Sequence, residues 1–314
     1  VVKRVIIIAG PTASGKSAMA IAVAKKFSGV IINADSMQIY RQMSILTARP
    51  SIEDMFQVEH RLYGVLDAND PCSVGRWLEL AIFEIQSVWD NGKLPLIVGG
   101  TGLYLKALLE GLAQIPEVSQ RIRKKATLLH KRLGGVAFHK ALAEVDPISA
   151  GRIPAGDTQR LIRAYEVIDA TGKPLSSWQN SHLCKPPLDA LYGVITLLPK
   201  REILYDRINK RFDWMIENGA LNEVCALEKL CLDPALPAMK AVGVSELMAV
   251  SNGNKDLQVA KDDAKRATRQ FAKRQMTWFR NQLETDLTLS AQYSERIEAK
   301  IFSFIGQFML TKGS

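Results

Sequence analysis

The eight residues Gly10-Pro11-Thr12-Ala13-Ser14-Gly15-Lys16-Ser17 have the types and spacing of a loop that cradles phosphate. Glycines at both ends let the backbone fold back so that successive N–H groups point at one anion, and a helix opening behind them adds its positive end. Lys16 is placed to reach an outer phosphate, and Ser17 offers a hydroxyl to a magnesium ion. Which diphosphate or triphosphate the loop takes, and whether ATP is among them, is open at this point. A second candidate is Asp35, which follows the β-branched run Val30-Ile31-Ile32. In an open parallel sheet ligands bind just beyond the carboxyl ends of the strands, and Asp35 and Ser36 fall there. Such a carboxylate can orient a magnesium-bound water, act as a general base toward an acceptor, or merely cap a following helix. A third is Gly99-Gly100-Thr101-Gly102, where three glycines in four residues bring backbone and a hydroxyl close to the strand ends. Its plainer reading is a tight turn with Thr101 as a helix cap.

These residues need a scaffold, and the hydrophobic pattern supplies one. Val5 to Ala9 is an apolar run, Val30 to Ile32 a short β-branched one, and Leu94 to Val98 is apolar throughout, as strands covered on both faces are; Leu191 to Leu197 is strand-like again. Ala18 to Phe27, Ser73 to Asp90 and Leu103 to Glu110 have helical periodicity, and Val74, Trp77, Leu78, Ala81, Ile82, Ile85 and Val88 share one packed face. Trp77 is therefore a core residue rather than a ligand platform. Thr47 to Pro50 reads as a turn and Glu53 to Glu59 as a short helix. Strand signals vanish over 115–190, where the basic cluster Arg121, Arg123, Lys124, Lys125, His130, Lys131 and Arg132 appears. Arg152, Arg160 and Arg163 are expected on a single helix continuing through Ile168. Helices follow at Pro199 to Asn218, with Arg201, Arg207, Lys210 and Arg211 on one face, at Leu221 to Leu232, and from Leu257 to about Leu283. In the last, Lys261, Lys265, Arg269 and Lys273 recur every four residues, too one-sided for ordinary intrahelical pairing. Phe271, Trp278 and Phe279 interleave with them in a pattern suited to core packing or to a nucleic acid.

The pattern predicts an α/β fold, a P-loop NTPase-like parallel sheet flanked by helices, with an all-helical insertion. Residues 1–114 and 191–314 would form the core domain and 115–190 the insertion, a lid or a polyanion-binding module. The net charge of +9 points to a polyanionic partner if the charge is clustered. Cys72, Cys184, Cys225 and Cys231 make no C-x-x-C pair, and His60, His130, His139 and His182 have no metal-ligand spacing, so reduced thiols, a cytoplasmic address and no structural zinc are expected. The apolar run after Lys3-Arg4 is too short for a signal peptide, and no run approaches the roughly 20 residues of a membrane span.

Five segments, taken together, resemble the bacterial tRNA dimethylallyltransferases, also called tRNA isopentenyltransferases. They are the phosphate loop, Asp35-Ser36-Met37-Gln38-Ile39-Tyr40, Val98-Gly99-Gly100-Thr101-Gly102-Leu103-Tyr104, Gln159-Arg160-Leu161-Ile162-Arg163-Ala164-Tyr165-Glu166-Val167 and Lys273-Arg274-Gln275-Met276-Thr277-Trp278-Phe279-Arg280. The resemblance runs from residue 5 to about residue 282 and implies transfer of a dimethylallyl group from its diphosphate to N6 of the adenine 3′ to the anticodon. It implies that Gly10 and Thr12 to Ser17 hold the diphosphate, with Lys16 on it and Ser17 toward magnesium. It further implies that Thr101 bonds near the departing oxygen and that Asp35 accepts the N6 proton. Contacts with tRNA are implied for Asp35, Ser36, Met37, Gln38, Thr101, Arg123, Gln159, Arg160, Arg163, Lys240, Lys273, Arg274 and Arg280, in a monomeric enzyme without the zinc finger of eukaryotic members. Leu46, Arg61, Thr158 and Val244 depart from the usual pattern. The alternative the loop leaves open is a P-loop kinase of a small nucleoside-like substrate, with the insertion as its lid.

Overall fold

The sheet is built on β1 (Arg4–Ala9), whose residues from Val5 onward are fully buried because it has a strand on either side. The structure, a computed structural model, describes residues 2–113, 115–180, 185–291 and 293–311; His182 and Cys184 lie outside the described residues. Two compact units emerge: the residues up to Leu109 with those from Pro187 onward, and Glu110–Pro186.

In the first unit β1 leads through the phosphate loop into α1 (Lys16–Phe27), whose Met19, Ala20, Val23 and Ala24 face the sheet. Then come β2 (Gly29–Asn33), α2 (Ile52–Gln57), the short β3 (His60–Arg61), α3 (Val74–Asp90), β4 (Leu94–Gly99) and α4 (Gly102–Glu110). Ser73 caps α3 through the Arg76 N–H, and Trp77, Leu78, Ala81, Ile85 and Val88 are buried along it. Trp77 stacks on Tyr104 and donates to the Asn33 carbonyl, a core role as its periodicity indicated.

The second unit contains α5 (Gln120–Val145), broken by Gly134 at φ 75°, then α6 (Pro147–Arg152), α7 (Thr158–Thr171) and α8 (Leu175–Asn180). They enclose Phe138, Leu142, Leu161, Ala164 and Val167. Buried Asp146 caps α6 through the Ser149 N–H and also accepts from the Ser176 hydroxyl at 2.7 Å. The single helix expected to carry Arg152, Arg160 and Arg163 is two helices, because Pro154 interrupts it and Asp157 caps a new start at the Arg160 N–H.

Back in the first unit are β5 (Leu191–Leu197), α9 (Arg201–Glu217), α10 (Ala220–Glu228), α11 (Val244–Ser251), α12 (Leu257–Gln282), β6 (Leu287–Leu289) and α13 (Glu298–Leu310). Helix α10 stops short of the expected Leu232 because the chain leaves helical geometry, reaching φ 48° at Cys231.

All strands are parallel in the order β3-β2-β4-β1-β5-β6. Ala9 is level with Gly99 on one side and Thr196 on the other, and Asn33 with Val98, so the loops that leave these strands emerge side by side. Connections that reverse around β1 make this edge the switch point where α/β folds hold ligands. Among the described residues no helix is long and apolar enough to cross a membrane.

Candidate active site

Beyond Ala9 the chain turns at Gly10, where a Cβ would lie 2.6 Å from the Leu197 carbonyl oxygen and φ is +151°. Only glycine allows this approach, which seats the loop against the end of β5. Ala13 and Gly15 take left-handed conformations at φ 64° and 96°, curling the amides toward one centre. For Ala13 that strain is worth about 1–3 kcal/mol, which neighbouring structure must hold in place. Lys16 Nζ donates to the Pro11 carbonyl at 2.7 Å. Ser14 is fully buried and its hydroxyl has no hydrogen-bond partner among the described residues.

A cleft of 1180 Å³ opens over the loop, lined by Thr12 to Ser17 together with Asp35, Gln38, Tyr63, Arg207 and Arg211. Burial pushes the Lys16 ammonium down to about 8; Asp35 opposes the shift and Arg211 adds to it. Arg211 is lowered to about 10, by burial first and by Arg207 second, again opposed by Asp35. Its guanidinium donates to the Thr12 hydroxyl. Cations drawn together and stripped of water are costly alone and become favourable around a polyanion. Burial and the Asp35 carboxylate both raise the Tyr63 phenol, so it stays protonated.

Asp35 is fixed from its own strand end. Its N–H donates to Asn33 Oδ1 at 2.8 Å, and Asn33 Nδ2 donates to the Asp35 and Leu62 carbonyls at 3.0 Å each. Its Oδ1 accepts the Met37 N–H at 2.9 Å, closing a turn rather than capping a helix; no helix follows. Thr101 Oγ1 accepts the Ser36 N–H at 3.0 Å and its hydroxyl donates to Ser36 Oγ at 3.3 Å. Thr101 therefore buttresses the Asp35–Ser36 segment and is not among the residues lining the cleft, nor is Gly10, at the root of the loop.

One residue of the Lys273 to Arg280 motif positions the site in a way that its spacing does not show. Gln275 on α12 is buried; its Oε1 accepts the Thr12 N–H at 2.9 Å and its Nε2 donates to the Gly100 carbonyl at 2.8 Å. It pins the phosphate loop to the glycine turn after β4. Trp278, one helical turn on, packs where a Cβ on Gly102 would come within 2.4 Å. Arg207 and Arg211 stood out in the sequence only as a basic helix face; their i, i+4 spacing was the signal that one face of α9 could enter the cleft.

The remaining candidates are not among the residues lining the cleft. Lys240, Lys273, Arg274 and Arg280 are exposed on the first unit, with Arg274 over the Phe271 ring. The basic stripe of α12 is not uniformly free. Lys261 and Lys265 both pair with Asp213 on α9, at 2.9 and 2.7 Å, and Arg269 donates to Asn209. Their partners sit on another helix, which intrahelical spacing could not show. Phe279 is core. In the helical unit Gln159 and Arg160 are exposed, and Arg123 and Arg163 converge on buried Glu166 at 3.4 and 3.6 Å. Of the departures, Arg61 pairs with Glu59 and Glu84, Leu46 packs against Gly243, and Val244 is buried.

No group of three His, Cys, Asp or Glu that could hold a metal occurs among the described residues. The cleft does offer oxygen donors, the Ser17 hydroxyl and the Asp35 carboxylate. That set fits magnesium, which keeps most of its shell for water and phosphate oxygens.

The sequence model of the IPP transferase family matches residues 38–282, and that of isopentenyl transferase residues 3–72. A tRNA dimethylallyltransferase of Paramagnetospirillum magneticum is 47% identical over 306 residues, covering 98% of this chain and 97% of its own length. One from Rhodospirillum centenum is 49% identical over 279 residues, covering 89% of each chain. Among solved structures, the tRNA isopentenylpyrophosphate transferase of Bacillus halodurans aligns with a TM-score of 0.71 at 32% identity, covering 97% of this chain and 96% of that one. A eukaryotic dimethylallyltransferase acting on tRNA aligns at 0.83 and 27% identity, covering 98% of this chain and 79% of that one.

Proposed function

The chain belongs to the IPP transferase family and transfers a prenyl group to tRNA; from that premise we propose that the group is dimethylallyl, taken from dimethylallyl diphosphate. The acceptor is N6 of the adenine 3′ to the anticodon, and diphosphate is released. The kinase alternative gives way to the family. The observation that carries the reading is one cleft holding both the Asp35 carboxylate and the cationic phosphate loop.

The loop amides, Lys16 and Arg211 receive the diphosphate, Lys16 exchanging the Pro11 carbonyl for a phosphate oxygen. An adenine N6 lone pair is delocalised into the ring and attacks poorly. Asp35 takes its proton as the N–C bond forms and the C–O bond to diphosphate breaks, an assistance worth about 10²–10⁴ in rate. Thr101 holds the Asp35–Ser36 turn in place; bonding near the departing oxygen would require its hydroxyl to leave Ser36. A magnesium ion on Ser17, when bound, would neutralise charge on the diphosphate.

Extruding the base costs a few kcal/mol. Cations meet that cost on the tRNA backbone: the exposed Lys240, Lys273, Arg274 and Arg280 on the first unit, and on the helical unit the exposed Arg123 and Arg160 with Gln159 and the half-buried Arg163, which the proposal makes a tRNA-binding module. The proposal also has the enzyme acting as a monomer in the cytoplasm.

Labelled dimethylallyl diphosphate and total tRNA provide the test, with the label read as N6-modified adenosine. Asp35→Asn should lower the rate of transfer by about 10²–10⁴ while tRNA affinity changes only a few-fold. Undiminished transfer by that variant would rule out the base.

A further inference from the structure

We infer that Glu223, on α10, is a positioning residue that sets the acceptor wall of the cleft by holding the 44–48 loop; this rests on the proposed acceptor. Its carboxylate gathers the start of that loop. Oε2 accepts the Ser44 N–H at 2.7 Å, the Ile45 N–H at 2.9 Å and the Ser44 hydroxyl at 2.9 Å, and Oε1 accepts the Leu46 N–H at 2.9 Å. Consecutive amides converging on one anion form a nest, here filled by a side chain of the protein itself. Four hydrogen bonds to one carboxylate thus gather the start of the loop.

The held loop closes on itself, the Ala48 N–H on the Ile45 carbonyl and the Arg49 N–H on the Ser44 carbonyl, both at 3.0 Å. Its far side then acts on the cleft. The Thr47 and Ala48 carbonyls both accept from Gln38 Nε2 at 2.9 Å. An amide nitrogen has two hydrogens, and both are used, so Gln38 has only its acceptor oxygen to offer a substrate. An acceptor suits the exocyclic amine of adenine and opposes the carbonyl of a 6-oxopurine. Gln38, Thr47 and Ala48 line the cleft with Asp35. The carboxylate on α10 thus reaches the acceptor through two sets of bonds without touching it.

Glu223→Ala and Glu223→Gln test this. The alanine variant should raise the KM for tRNA at least tenfold while the KM for dimethylallyl diphosphate stays within twofold. The glutamine variant should recover most of the loss, since its amide oxygen can still accept from Ser44 and Ile45. In a Gln38→Leu background the alanine change should add nothing further, because the path ends at Gln38. An unchanged KM for tRNA, both KM values rising together, or independent effects at 223 and 38 would overturn the inference. Hydrogen exchange at residues 44–46 should quicken in Glu223→Ala, and unaltered exchange would also overturn it. That arm needs neither donor nor acceptor, so failure of the proposed acceptor and failure of the positioning role are read separately.

Discussion

Lys16 is asked to carry charge in a place that disfavours charge. Its folded-state pKa of about 8 lies below the ordinary 10.5, so between these pH values the unfolded chain holds a proton that the folded chain has lost. Stability contributed by this group therefore rises with pH from about 8 toward 10.5, and below 8 the buried ammonium is a cost. The proposed diphosphate would reverse the balance by supplying the missing counter-charge. The expected result is a kcat/KM for the allylic donor that bends downward above pH about 8 as the free enzyme loses the ammonium. Lys16→Arg should shift that bend upward, since guanidinium keeps its proton. A profile flat to pH 10 would show that Lys16 does not bind the donor as a cation.

Helix α12 shows how one element can serve two ends. Its buried face carries Gln275 between the phosphate loop and the Gly100 turn, while Lys273 and Arg274 on its other side face water. Gln275→Ala would leave the Thr12 N–H and the Gly100 carbonyl without their partner, at about 1–3 kcal/mol for each group that stays buried. Urea unfolding should show that loss, and the KM for the donor should rise because the loop is no longer tied down. A variant with unchanged stability and donor KM would mean that water replaces the amide. The Lys273 to Arg280 motif could be recognised in the chain, yet its spacing did not separate a residue that pins the loop from residues that face solvent. Both kinds recur on a helix every three or four positions.

Across the whole molecule the net charge of +9 is only partly available to a polyanion. Lys261 and Lys265 are spent on Asp213, whereas Lys273 and Arg274 are exposed. Replacing Lys273 and Arg274 by Gln should reduce the slope of log affinity for tRNA against log salt by about 0.7–0.9 per cation. The same change at Lys261 and Lys265 should lower stability and leave that slope alone. Equal effects from the two pairs would show that the Asp213 bridges open on binding.

The chain alone was enough for the strands that flank the loop, for the tight glycine-flanked turn from β1 into α1 and for placing Asp35 at the carboxyl edge of the sheet. Those features follow from local pattern, because a buried parallel strand is apolar along its length and such a turn is contiguous in sequence. What only the tertiary structure decided is which distant groups join them: Arg211 on the Thr12 hydroxyl, Gln275 between two loops, Glu223 beneath residues 44–46, and Thr101 turned to Ser36. Each is a contact between segments far apart in the chain, made by a side chain whose type is common on any helix or turn. Such a partner is chosen by where the parallel sheet brings its loops out, and residue spacing contains no measure of that.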